Sequence, residues 1–195
     1  MPNQFVLKCT HDSGGLVICR DKSQFDKEAA RRKIETCLKH NFFWGQREWA
    51  YKAVQPRILA EVYMEDETAR TMGSKGLTDY KFFCFNGTPK FAYVSCGLEK
   101  HETAQISFLD MSWCFTDFRR SDYKPLSMIP PKPSQFDAMK NIAARLSKDI
   151  PFVRVDLYEV EGKVYFSEMT FYPCSGFLPF EPEKYDRALG DEIII

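Results

Sequence analysis

The chain has 195 residues, 44% hydrophobic and 28% charged, a balance that points to a folded globular protein and away from disorder. Lys plus Arg number 27, as do Asp plus Glu, so the formal net charge is zero; this argues against a nucleic-acid coat or a polybasic membrane anchor. No apolar run approaches the ~20 residues that span a bilayer.

The start, Met-Pro-Asn-Gln, lacks the basic and apolar regions of a signal peptide. Seven Cys, at 9, 19, 37, 84, 96, 114 and 174, form no CxxC pair, so neither a zinc site nor a disulfide framework is expected. Free thiols in a reducing cytoplasm are the expectation. The length suits one ordinary domain or two small lobes. Aromatic residues make up 15%, which predicts a core rich in aromatic strands, with a stacking surface for sugars or bases as the rarer use.

In chain order, FVLKC (5–9) and LVIC (16–19) read as two strands joined by a Gly-containing loop. Ser23, with Asp26 three positions on, predicts a helix start; Phe25, Ala29, Ile34, Cys37 and Leu38 hold one face to about His40. An aromatic, charged stretch closes at Pro56, and RILAEVYM (57–64) predicts a strand. Residues 65–78 read as a loop or hinge. DYKFFCF, Asn86-Gly87 and TPKFAYVSC form the clearest hairpin, and 106–118 reads as another strand pair. Residues 121–134 hold four Pro and predict a loop. Ser134 then caps a helix with Phe136, Met139, Ile142, Ala143 and Leu146 on its apolar face. FVRVDLYEV, Glu161-Gly162 and KVYFSEMTFYP give a second hairpin. Strands and helices do not alternate strictly, so the order fits an α+β architecture with antiparallel sheets.

Chemistry concentrates in that last hairpin. Arg154, Asp156 and Tyr158 share one strand face, Glu168 and Thr170 share one face of the partner strand, and Asp156 is expected to face approximately Glu168. Two close carboxylates repel unless a cation or proton lies between them, and hard cations such as magnesium take such oxygens. A solvated hairpin face with Arg154 paired to an acid is the competing reading. Lys8 before THDSGG suits phosphate, although an ordinary turn explains the loop too, and GxxxxGK[ST] is absent. His11 is an acid–base candidate or a solvated loop residue. Asp79 and Lys81 alternate on a strand face that continues through Phe83 and Phe85, which reads as a site edge or as a strand-end ion pair.

FVLKCTHDSGG, RILAEVYM, DYKFFCFNG and PFVRVDLYEVEGKVYFSEMTFYPCSGF together resemble the ATP-grasp superfamily, and its TupA-like branch of teichuronopeptide and surface-polysaccharide synthesis in particular. REWAYK (47–52) and EPEKYDRALGD are also similar to that branch. The resemblance implies two lobes, 1–60 and 61–195, with a nucleotide cleft between them. It implies ATP and magnesium as cofactors. Lys8, with the loop that includes His11, Ser13 and Gly14, would bind phosphates. Glu61 would meet the adenine amino group, with Val62, Tyr63 and Met64 forming the hinge and adenine wall, and Asp79 the ribose. Asp156, Glu168 and Thr170 would ligate the metal, Thr170 standing where most ATP-grasp enzymes carry Asn. Arg154 would neutralise the transferred phosphate, with Lys81 as a further phosphate candidate.

The activity so implied is carboxylate–amine ligation through an acyl phosphate, on a carboxylate-bearing sugar or amino acid. A glycosyltransferase of the same pathways and a truncated non-catalytic ATP-binding remnant are the rival readings. Relatives carry an N-terminal region before the FVLK strand, whereas this strand begins four residues after Met1. That region is expected to be absent, leaving apolar surface by which the chain would form a homodimer unless something else covers it.

Overall fold

The computed structural model describes residues 1–97 and 104–195. The chain divides into two compact units, Met1–Tyr63 and Met64–Ile195.

In the first unit, β1 (Phe5–Cys9) lies between β2 (Leu16–Cys19) and β3 (Ile58–Val62), antiparallel to both. α1 (Lys27–Leu38) lays Ala30 and Ile34 into a small core shared with Phe5, Cys9 and Cys19. The helix does not start at Ser23: a 3-10 turn occupies Lys22–Gln24, capped by Asp21, and the Asp26 carboxylate accepts from Ala29 N to open α1. A carboxylate at the N-cap satisfies an orphan amide and complements the helix dipole, which makes Asp26 the better start. α2 (Phe42–Gln46) and a 3-10 turn at Trp49–Tyr51 carry the aromatic stretch. Every residue of β3 is exposed.

The second unit is a five-stranded antiparallel sheet, ordered β6-β5-β4-β7-β8. Its strands are β4 (Asp79–Phe85), β5 (Thr88–Cys96), β6 (Gln105–Asp110), β7 (Phe152–Val160) and β8 (Lys163–Thr170). Both tight hairpins turn where expected, with positive φ at Asn86 and Gly87 and again at Glu161 and Gly162. The segment read as a loop at 65–78 contains a short helix, α3 (Glu67–Thr71), because Asp66 caps it through Ala69 N and also accepts from Thr78 N. The strand pair read over 106–118 reduces to β6 and a single bridge, Leu109 to Phe115; Trp113, at φ 69, turns the chain too sharply for a second strand. α4 (Phe136–Leu146) is not capped by Ser134, whose hydroxyl instead donates to Glu159 Oε1 while Gln135 N donates to Oε2.

Both sheet faces are covered. On one, Tyr80, Phe82, Val94, Val153, Val155 and Leu157 pack with Phe136, Met139 and Ala143 of α4. On the other, Phe83, Phe85, Phe91, Tyr93 and Phe108 form an aromatic cluster with Phe118, Phe180 and Tyr185, the last on α5 (Lys184–Gly190). Period-2 alternation along β4 explains the division: even residues face α4 and odd residues face the aromatic cluster. The second face changes character along its length, from phenyl rings at Phe83 and Phe85 to charge at Asp79 and Lys81.

Candidate functional site

The charged end of that face is built from three neighbouring strands. Register places Lys81 opposite Asp156 and Phe83 opposite Arg154, and places Asp156 opposite Glu168 and Arg154 opposite Thr170. A β-bulge between Asp156 and Leu157 sets the second pairing: Leu157 pairs with Phe166 and Asp156 with Glu168, so Ser167 is an extra residue on β8.

Asp156 is fully buried and saturated with cationic donors. Lys81 Nζ donates to its Oδ2 at 2.7 Å, and Arg154 grips both oxygens, Nε to Oδ1 at 2.7 Å and Nη2 to Oδ2 at 2.7 Å. The same Nη2 lies 3.1 Å from Glu168 Oε1 and donates to Thr170 Oγ1 at 2.9 Å. Lys81 Nζ also donates to Asp79 Oδ1 at 3.1 Å, and Ser95 Oγ meets the other Asp79 oxygen at 3.5 Å. Burial would push the Asp156 carboxyl up, but Lys81 and Arg154 outweigh it and hold the group below the usual carboxylate range. Burial would likewise lower Lys81, but Asp79 and Asp156 hold its ammonium above the ordinary lysine range. Burial raises the Tyr158 phenol, with the Asp79 charge adding to the effect. Three carboxylates face two cations here, so the network carries one net negative charge.

Carboxylate and hydroxyl oxygens are the donor types that a hard divalent cation takes. Asp156 and Glu168 present carboxylate oxygens on one face, Thr170 adds a hydroxyl, and a guanidinium already bridges all three. Among the described residues no group of three or more His, Cys, Asp or Glu could hold a metal ion.

Lys8 and Glu61 belong to the first unit, where Lys8 Nζ and Glu61 Oε2 pair at 2.5 Å on an open face, 39% and 46% exposed. Ser13 and Gly14 are exposed, and Gly14 takes φ 93. Gly15 packs so closely on Asp12 and Cys37 that an added Cβ would lie 2.6 Å from Cys37 Sγ. His11 is not presented on the loop surface: its ring is fully buried, and neither nitrogen has a hydrogen-bond partner among the described residues. Tyr63 is nearly buried, its hydroxyl accepting from Arg20 Nε at 3.0 Å, and Met64 begins the second unit. Asp79 accepts from Lys81 Nζ and so belongs to the Lys81 network.

Three residues escaped the sequence reading. Ser95 and Tyr93 stand opposite Asp79 and Lys81 on β5, a pairing that counting outward from Asn86-Gly87 approaches. Arg120 lies just before the Pro-containing stretch 121–134, and no spacing marked it. Its guanidinium sits over Tyr93 at 5.8 Å. Burial pushes the Tyr93 phenol up to about 12, with Arg120, Lys81 and Arg154 all pulling the other way.

A family model described as TupA-like ATPgrasp matches residues 1–194. No curated protein sequence matches the chain. Among solved structures, D-alanine–D-alanine ligase from Bacillus anthracis complexed with ATP is similar over 97% of this chain and 50% of its own, at 16% identity and TM-score 0.49. A second structure of that ligase gives 97%, 52%, 15% and 0.47 in the same order. D-cycloserine synthetase DcsG gives 98%, 56%, 16% and 0.45. The chain thus spans about half the length of the solved proteins it matches. Among the described residues no helix is long and apolar enough to cross a membrane.

Proposed function

From the premise that the chain belongs to the TupA-like ATP-grasp family, we propose that it takes part in ATP-dependent ligation of a carboxylate to an amine. The observation that carries this reading is the buried Lys81–Asp156–Arg154 network with Glu168 and Thr170 on its rim. Two fixed cations beside two facing carboxylates can hold a metal–triphosphate and meet the charge that spreads over a transferred phosphoryl group.

Asp156, Glu168 and Thr170 would hold magnesium, which would supply neutralisation of phosphate charge. Lys81 and Arg154 would hold the γ-phosphate while a substrate carboxylate oxygen attacks it. ADP leaves, an acyl phosphate forms, and an amine then displaces inorganic phosphate to give the amide. Asp79 and Ser95 fix Lys81 for this task, which is a more direct use of a nearly buried carboxylate than contact with a ribose. Lys8, the loop at 10–15, Glu61 and Tyr63 are the first-unit residues that the family resemblance would assign to the nucleotide.

The resemblance to the TupA-like branch supports a cytoplasmic role in surface-polysaccharide modification, with a uronic acid or amino acid as the carboxylate. The test is isothermal titration of ATP with and without magnesium, followed by ADP release against a panel of uronic acids and amino acids. Affinity that does not depend on magnesium would overturn the metal assignment. Absence of ATP binding would overturn the whole reading.

A further inference from the structure

Arg120 is the strongly buried cation that the proposed reaction leaves unused. Its side chain is 10% exposed, whereas that of its partner Asp122 is 47% exposed. The pair is bidentate, Nε to Oδ1 at 2.8 Å and Nη2 to Oδ2 at 2.5 Å. An ion pair that only pinned this turn would need no buried guanidinium, and sinking a cation beneath a solvent-facing partner carries a desolvation cost. The guanidinium is instead layered on two phenol rings, 4.9 Å from the Tyr123 centroid and 5.8 Å from that of Tyr93. Two of its five N–H groups go to Asp122, and among the described residues the other three of this planar fork have no hydrogen-bond partner.

Position says what that fork can reach. Tyr93 stands on β5 directly opposite Lys81 on β4, so Arg120 lies over the same polar face, one strand beyond Lys81. β5 and β8 are three strand spacings apart, roughly 14 Å. A group bound beside Lys81 on the β8 side meets Arg154; one bound beside Lys81 on the β5 side meets Arg120.

We propose that Arg120, backed by Tyr93, forms an anion subsite that binds the carboxylate-bearing substrate and not the nucleotide. The inference rests on the ligase reading above, and it assigns the substrate side of that site to the β5 edge.

The experiment uses the full chain with Arg labelled at Nε, and Arg120→Gln and Arg120→Lys as variants. MgADP is added first, then glucuronate, glutamate and acetate in turn. The expected result is a shift of the Arg120 Nε–Hε resonance by at least one carboxylate, with affinity about tenfold weaker in Arg120→Gln, as loss of a charge-assisted fork implies. Arg120→Lys is expected to recover only part of that affinity, and MgATP affinity to stay unchanged in both variants. In turnover, the KM for the carboxylate rises while kcat falls less. The proposal is overturned if no carboxylate moves the resonance, if both variants bind the probe as wild type does, or if MgATP affinity falls as far as carboxylate affinity. Wild-type chain that does not bind MgATP at all overturns the ligase reading instead.

Discussion

Asp156 and Glu168 face each other across β7 and β8, and Arg154 joins them: one nitrogen, Nη2, lies 2.7 Å from Asp156 and 3.1 Å from Glu168. The two carboxylates are thus held close by a side chain that is also placed to meet phosphate. Glu168, at 50% exposed, is the movable partner, while Asp156 is fully buried. Glu168→Gln is therefore expected to leave the fold intact and to weaken ATP binding only when magnesium is present. Titration of ATP into wild type and variant, each with and without magnesium, measures this. Equal magnesium dependence in the two proteins would remove Glu168 from the metal site.

Asp156→Asn is expected to act on stability as well. It leaves Lys81 and Arg154 buried with fewer counter-charges, a loss on the order of 3 kcal/mol. The pH dependence has a definite sign. Because the folded-state pKa of Asp156 is held below its unfolded value of about 3.9, its contribution is complete above that value and disappears as the pH falls through the folded one. Urea unfolding from neutral pH down to pH about 3 should show wild type losing stability on acidification more steeply than the variant. Parallel curves would show that the carboxylate gains nothing from its two cations.

Lys8→Ala separates phosphate from base recognition. The Lys8–Glu61 pair is well exposed, so its loss should cost the fold no more than about 1 kcal/mol. ATP affinity should fall by roughly 1.5–3 kcal/mol, the worth of a hydrogen bond to a charged group. Adenosine affinity should stay the same. An equal drop for adenosine would make Lys8 a purely structural residue.

Gly15→Ala tests the loop after β1. The added methyl group meets Asp12 and the Cys37 thiol of α1, so the loop or the Asp12 side chain must shift. Overpacking of this kind costs about 1–3 kcal/mol. A thermal melt should register it, together with weaker ATP binding. Unchanged melting and binding would mean that the loop carries neither role.

How far the sequence led depends on what sets each feature. The Asn86-Gly87 and Glu161-Gly162 turns were legible because left-handed φ at both central positions restricts the residues that fit. The partnership of Asp156 with Glu168 was legible only approximately. Simple counting back from Val160–Lys163 pairs Asp156 with Ser167; the bulge shifts the partner by one and brings Glu168 to the face Asp156 occupies. No residue type announces such a bulge. Helix starts at Asp26 and at Gln135 were misread because several capping residues stand close together, and long-range partners such as Glu159 decide among them. Arg120 was invisible because its place over Tyr93 follows from the tertiary path of a loop, not from any local period.

β4 is buried along all seven residues, and its odd positions pass from Asp79 and Lys81 to Phe83 and Phe85 without an intervening neutral step. A slip of two residues would keep every side chain on its proper face, so hydrophobic patterning alone would not reject it. It would, however, push an ammonium among phenyl rings and a phenyl ring among carboxylates. The strand is thereby a ruler with unlike ends. Correct assembly and correct chemistry are checked by the same alignment, and a misregistered chain is penalised at both ends simultaneously.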